Sequence, residues 1–309
     1  MSNTWRIISG DTIAGMRTLP DGCVNTCITS PPYWGLRNYG HEGQIGLEST
    51  PAAYVARMVD VFREVRRVLR DDGTCWVNLG DSYTGGGGFC ANAPSAATSK
   101  SGKYGTAGAA MKSVGQVDGL RPKNLVGIPW RVAFALQDDG WYLRQDIIWN
   151  KPNPMPESVT DRCTKAHEYI FLLAKQERYH FDSKAIAEPA AYAGQQRGGS
   201  TNRYEQNAAG MDNKVYDTRN KRSVWTVCTE PYPGAHFATF PTALIEPCVK
   251  AGCPVGGTVL DPFNGSGTTG EVSLLNGRNY IGCELNPEYV AMSRERLAGA
   301  CPLLAMEVA

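Results

Sequence analysis

The chain has 309 residues, long enough for a full hydrophobic core in one large domain or in one domain carrying an insertion. Its 31 lysines and arginines against 30 aspartates and glutamates leave a net charge of +1, so a polyanion would have to be held by a local patch and not by overall charge. The ten cysteines form no C-x-x-C pair and stand at no ligand spacing with the four histidines, no apolar run reaches bilayer length, and the N-terminus has no signal pattern; a reduced, cytoplasmic protein without metal or membrane is expected.

Trp5 to Ser9 reads as a short strand that stops at Gly10-Asp11, and Ile13 to Leu19 gives a helical turn or two before the turn signal Pro20-Asp21-Gly22. The apolar run Val24 to Ile28 is a second strand. It leads into Thr29-Ser30-Pro31-Pro32-Tyr33-Trp34, where two adjacent prolines donate no backbone hydrogen bond and force the chain out of the strand in a stiff turn. That turn groups a hydroxyl (Ser30), a carbonyl (Pro31) and two π faces (Tyr33, Trp34). A flat heterocycle with an exocyclic amine would stack on the aromatic face and point its N–H groups at the two oxygens. A proline-rich surface turn with an aromatic staple is the alternative for this stretch alone.

Tyr54 through Leu69 places Tyr54, Val55, Met58, Val59, Phe62, Val65 and Leu69 at helical spacing, with Arg57, Arg63, Arg66 and Arg67 between them and Arg70 just after, read as a solvated face. Asp71-Asp72-Gly73 is expected to end that helix, and Thr74 to Leu79 is a buried strand running into Gly80-Asp81-Ser82. Helices and strands alternate, which argues for an α/β sheet of mostly parallel strands. Residues 84–115 break the pattern with four glycines, then Lys100, Lys103 and Lys112 without one acid. A loop of that kind is disordered in the free protein or closes over a polyanion. Leu125 to Leu136 resumes an amphipathic helix with Pro129 in its first turn, Trp141 to Trp149 is a strand, and the three prolines of Asn150 to Pro156 make a stiff extended segment. Tyr169 to Ala174 is another buried strand, with Tyr179 to Asp182 expected as its hairpin arm.

From Ser183 to Ser223 the apolar period disappears. Seven cations against four anions give this segment a local charge of +3, with Tyr192, Tyr204 and Tyr216 interleaved. It cannot build its own core, so it lies across a partner or the main sheet, where basic and aromatic residues suit phosphate contact and base packing; a solvated linker is the alternative. Val224 to Val227 restarts order, His236 to Pro241 forms an aromatic turn, and Thr242 to Lys250 reads as a helix.

Thr258 to Asp261 is a strand that opens into Pro262-Phe263-Asn264-Gly265-Ser266-Gly267-Thr268-Thr269-Gly270, followed by helix from Glu271 to Leu275. A strand turning through glycines into a helix N-terminus lets backbone N–H groups approach a ligand at the carboxyl edge of a sheet. The next strand, Tyr280 to Cys283, ends at Glu284, an acid suited to ribose hydroxyls, so the unit reads as a nucleoside site. Gly265, Gly267 and Gly270 satisfy G-x-G-x-x-G, which makes a nicotinamide or flavin dinucleotide the rival ligand. No lysine follows the glycines, which excludes a Walker loop. Glu284 comes early for a dinucleotide fold, and no second mononucleotide half follows; S-adenosylmethionine needs only one.

With the diproline turn first and the glycine loop far downstream, the chain resembles the permuted, β-class DNA amino-methyltransferases over nearly its whole length. TSPPYW (29–34) is similar to the family's catalytic motif, DPFNGSGTTG (261–270) to its cofactor loop, Glu284 to its ribose acid and HFATFP (236–241) to its late motif. WNKPNPMP (149–156) and TKAHEYIFLLAK (164–175) resemble segments that precede the target-recognition region, and Gly10-Asp11 a short N-terminal cofactor contact. The resemblance implies a Rossmann-like, circularly permuted α/β methyltransferase sheet: residues 1–182 as the catalytic half, 183–223 as an inserted target-recognition segment and 224–309 as the cofactor half. It implies S-adenosylmethionine as cofactor, held by Asp11, Phe240, Asp261, Pro262, Phe263, Asn264, Gly265, Gly267, Thr268 and Glu284. Ser30, Pro31, Pro32 and Tyr33 would be catalytic. Double-stranded DNA would be held by Trp34, Arg37, Lys151, Asn153, Arg197, Arg203, Arg219, Lys221 and Arg222. A homodimer and a cognate restriction endonuclease are the implied partners.

A Ser-led motif occurs more with cytosine N4 in this family and an Asp- or Asn-led one with adenine N6. The expected activity is methyl transfer to N4 of a flipped cytosine, with adenine N6 as the alternative and an NAD-type oxidoreductase as a distant one. A cytosine C5 enzyme needs a nucleophilic cysteine; Pro247-Cys248 lies inside an apolar helix and reads as core. Protein-glutamine and ribosomal RNA amino-methyltransferases place a related turn after the cofactor loop, the reverse of the order here.

Overall fold

The computed structural model describes residues 3–35, 41, 43–84, 119–190, 217–230 and 240–300. β1 (Trp5–Ser9), α1 (Thr12–Arg17) and β2 (Val24–Thr29) follow the predicted order, and Asp11 starts α1 by accepting the Ala14 N–H at 2.9 Å. α2 (Pro51–Val68) begins behind a Thr50 cap and buries the stripe Tyr54, Met58, Phe62 and Val65. Its last residue runs straight into β3 (Leu69–Leu79). The signal at 71–73, expected to end the helix, lies instead within β3: the ladder to β2 jumps from Val24–Leu69 to Thr26–Thr74, so residues 70–73 bulge out of it.

The chain continues as α3 (Ile128–Asp138), β4 (Tyr142–Asn150), β5 (His167–Ala174), the short β6 (Glu188–Pro189), β7 (Thr218–Arg219) and β8 (Val224–Thr226). It ends as α4 (Thr242–Gly252), β9 (Thr258–Asp261), α5 (Thr268–Leu275), β10 (Asn279–Glu284) and α6 (Pro287–Ala300). Among the described residues, eight strands form one sheet in the order β1-β10-β9-β2-β3-β5-β4-β8, while β6 and β7 pair separately. β5 runs antiparallel to both its neighbours; the other ladders of this sheet are parallel. Residues 179–182, expected as the hairpin arm of β5, form no strand, because β3 and β4 already fill both its edges. That stretch instead packs Phe181 on the Trp76 ring, with centroids 6.1 Å apart.

Alternation along the strands sorts the core into two layers. Cys27, Cys75, Val77, Phe171 and Leu173 meet α1, α2 and α3 on one face. Ile28, Trp76, Ile170 and Leu172 meet α4, α5 and α6 on the other. Cys248 is buried in that second layer, where burial pushes its thiol far up, so it is core as expected. The consequence for function lies in direction. β2, β3, β9 and β10 run parallel, and Leu79 pairs with Tyr169 at the start of β5. Thr29, Leu79, Asp261, Glu284 and Glu168 therefore share one sheet edge. No helix among the described residues is long and apolar enough to cross a membrane.

Candidate active site

A cavity of about 600 Å³ opens along that edge, and both distant motifs line it. Ser30, Pro31, Pro32 and Tyr33 form one wall; Asp261, Pro262, Phe263, Asn264, Gly265, Thr268 and Glu284 form another. Asp11, Phe240, Lys151 and Asn153 complete the set of predicted residues in the lining. Gly267 stands just behind, as the N-cap of α5.

The glycine wall is built by two carboxylates. Glu284, at the end of β10, accepts the Gly265 N–H at 2.7 Å and the Asn286 N–H at 2.8 Å, which fixes the loop against the strand. Gly265 sits at φ +52° and Gly267 at φ +82°, conformations that favour residues without a Cβ. Burial raises the Glu284 pKa, and the backbone donors oppose that rise. Asp261, 1% exposed, reaches across the sheet to the other motif: its Oδ1 accepts from Thr29 Oγ1 at 2.6 Å and its Oδ2 from Thr269 Oγ1 at 2.7 Å. The Phe263 N–H adds a third bond at 3.0 Å. Burial nevertheless pushes this carboxyl up to about 6. Asp261 is thus the tie that holds the glycine loop to the strand carrying the diproline turn.

The opposite wall is fixed by polar contacts. Tyr54 donates its hydroxyl to the Pro32 carbonyl at 2.9 Å, pinning the turn from α2. The Tyr33 hydroxyl donates to Glu168 Oε2 at 2.8 Å, and Lys151 reaches the other oxygen of Glu168 at 2.5 Å. Lys151 also lies over the Trp149 ring, 4.1 Å from its centroid. A Cβ on Gly80 would stand 2.5 Å from Tyr33 Cε2, so only glycine lets the ring sit where it does. Asn78, 4% exposed, lies beneath Ser30 and Tyr33.

Gly80, Asn78 and Glu168 carried no predicted role. Glu168 stood in a segment singled out only by resemblance; an acid opening an otherwise apolar strand was the signal. Trp34, expected to face DNA, is 2% exposed and donates its Nε1 to the Glu48 carbonyl at 2.8 Å. The stiff turn sends Tyr33 to the cleft and its neighbour into the core, so Trp34 is a packing residue. Asn153 is tied to Thr229 by bonds of 2.9 and 3.2 Å. Arg219, Lys221 and Arg222 gather around Glu188 at 3.6, 3.7 and 3.2 Å, away from the cleft lining. Arg37, Arg197 and Arg203, nearly all of the loop 84–115, and residues 236–239 of the aromatic turn lie outside the described residues.

Two motifs more than 200 residues apart thus form facing walls of one cleft at the sheet edge, the arrangement of an enzyme site. The family model for DNA methylases, N6_N4_Mtase, matches residues 24–295. The Type II methyltransferase M.Cfr9I of Citrobacter freundii is 49% identical over 294 residues, 95% of this chain and 87% of that protein. Among solved structures, the cytosine-N4-specific PvuII DNA methyltransferase superposes with a TM-score of 0.63 at 19% identity, covering 96% of this chain and 88% of that one. TTHA0409 from Thermus thermophilus, assigned as a DNA modification methylase and complexed with S-adenosyl-L-methionine, gives 0.59 at 23% identity, covering 97% of each chain.

The chain belongs to the N6_N4_Mtase family of DNA methylases: it is an S-adenosylmethionine-dependent DNA amino-methyltransferase. The residues fit that cofactor. The Glu284 oxygens take the Gly265 and Asn286 N–H groups and keep acceptor capacity for ribose hydroxyls, and a Cβ on Gly265 would meet nothing nearer than 3.9 Å, so a ligand can approach the loop. The dinucleotide rival falls with the family assignment.

Proposed function

We propose that this enzyme methylates N4 of cytosine in double-stranded DNA, with the base flipped out of the helix. The carrying observation is that the Ser30–Tyr33 turn and the Asp261–Thr268 loop with Glu284 line one cavity. An exocyclic amine is a poor nucleophile because its lone pair is delocalised into the ring. Ser30 Oγ and the Pro31 carbonyl accept its two N–H bonds, which favours the pyramidal nitrogen whose lone pair is free to attack. Tyr33, seated by Gly80 and Glu168, stacks on the base. Bound S-adenosylmethionine supplies an electrophilic methyl group. The chain contributes alignment and charge stabilisation, with no covalent enzyme intermediate, and the surplus amine proton passes to solvent. A base inside a duplex cannot reach this cleft, so it is flipped first.

The Ser-led motif supports cytosine; adenine N6 is the second reading, since one hydroxyl acceptor does not tell the rings apart. The motif order supports a permuted chain, with 1–182 and 224–309 as its two halves and 183–223 as the target-recognition segment. Family membership and the free cysteines among the described residues support action on DNA in the cytoplasm, with a cognate endonuclease and a second copy of the chain as partners. Nucleoside mass spectrometry of DNA incubated with enzyme and S-adenosylmethionine tests the assignment. N4-methyldeoxycytidine is the expected product. N6-methyldeoxyadenosine alone would move the enzyme to the other base.

A further inference from the structure

For Ser30 Oγ to accept an amine N–H, its own proton has to point elsewhere. A carboxylate in that place would have no proton to dispose of, so a serine-led site needs a second acceptor that a carboxylate-led one does not. Asn78 Oδ1 is the acceptor within reach, 3.4 Å from Ser30 Oγ, longer than the usual O–H···O bond of about 2.5–3.0 Å. The orientation of the Asn78 amide follows from its surroundings. Nδ2 faces the Tyr169 carbonyl at 3.1 Å and Glu168 Oε2 at 3.3 Å, both pure acceptors, so the nitrogen belongs there and the oxygen faces Ser30. Tyr33 also lies 3.2 Å from Oδ1, but it has one proton and a shorter, charge-assisted partner in Glu168 at 2.8 Å. Oδ1 is thereby left for the serine.

We propose that Asn78 is a positioning residue that takes the Ser30 hydroxyl proton, turning the Oγ lone pairs toward the amine of the target base. Glu168, anchored by Lys151, keeps both Tyr33 and the Asn78 amide in the orientation this requires. The inference rests on the role proposed above for Ser30.

The test is a double-mutant cycle on the full chain. Single-turnover transfer of labelled methyl from S-adenosylmethionine to unmodified bacteriophage DNA is measured for the wild type, Ser30→Ala, Asn78→Leu and the double variant, with cofactor affinity followed by calorimetry. Asn78→Leu should slow transfer by about 10-fold or more at unchanged cofactor affinity. In the Ser30→Ala background the same change should have almost no further effect, because no hydroxyl is left to orient. A purely structural role would slow both backgrounds alike. Losses that multiply, or an Asn78→Leu rate equal to the wild type, overturn the proposal while leaving Ser30 in place. A Ser30→Ala enzyme with wild-type turnover overturns the reading of Ser30 and this inference with it. Should Asn78→Leu lose cofactor affinity through packing damage, the smaller polar Asn78→Ser, too short to reach Ser30, decides by the same cycle.

Discussion

Gly80→Ala tests whether Tyr33 has to be seated where it is. The added Cβ would stand 2.5 Å from Tyr33 Cε2, 3.0 Å from Cδ2 and 3.2 Å from Cζ. Carbon atoms rest at about 3.5–4 Å, so the ring has to retreat by about 1 Å. Gly80 lies outside the left-handed φ region, so the effect is one of contact and not of backbone strain. The 2.8 Å bond from the Tyr33 hydroxyl to Glu168 does not survive that displacement. A hydrogen bond to a charged group contributes about 1.5–3 kcal/mol, which corresponds to about 10- to 150-fold in rate if the seated ring is needed in the transition state. Single-turnover methyl transfer measures the loss, and calorimetry with S-adenosylmethionine should show cofactor affinity unchanged. A Gly80→Ala enzyme that transfers methyl at the wild-type rate would refute the stacking role of Tyr33.

Asp261 predicts a pH dependence. Burial lifts it from 3.8 to about 6, so the native state holds this proton more tightly than the unfolded chain does. That contribution to stability is fully present below about pH 4 and lost as pH rises through about 6, a change of about 3 kcal/mol. Asp261→Asn, which cannot ionise, should flatten the decline of the urea midpoint across that window; a profile parallel to the wild type would contradict the assignment. Glu284→Ala should weaken S-adenosylmethionine binding by about 10-fold or more, since it removes both the proposed ribose acceptor and the 2.7 Å anchor of Gly265. Equal affinity by calorimetry would count against that role. Arg67, read from the sequence as solvated, bonds the Leu19 and Met16 carbonyls at 3.0 and 2.8 Å and Glu64 at 2.9 Å. Arg67→Met should therefore lower stability by about 1–3 kcal/mol, and an unchanged denaturation midpoint would show that this clamp contributes nothing.

Strong local signals made most of the sheet and both walls of the cleft legible. Val24 to Ile28 and Thr258 to Asp261 are short apolar runs ending in residues that cannot continue a strand, so the turns carrying chemistry announce themselves. What the sequence hid depends on contacts between distant residues. The signal at 71–73 does break the ladder, but β2 pairs with both Leu69 and Thr74, so it survives as a bulge within β3. Residues 179–182 have strand-like composition and lack a free edge to pair with. Tyr33 and Trp34 are adjacent aromatics, and only the turn geometry decides which one faces the cleft. Asn78 and Glu168 are 90 positions apart, and neither has a motif of its own; their role exists only once β3 and β5 lie side by side.

The claim on which the account stands is that the diproline ledge performs chemistry and does not hold the cofactor. Ser30→Ala separates the two most directly, by comparing S-adenosylmethionine affinity with methyl transfer to DNA in the same preparation. The account predicts affinity equal to the wild type with transfer nearly abolished. Transfer at the wild-type rate, or a loss of transfer fully explained by weaker cofactor binding, would contradict it.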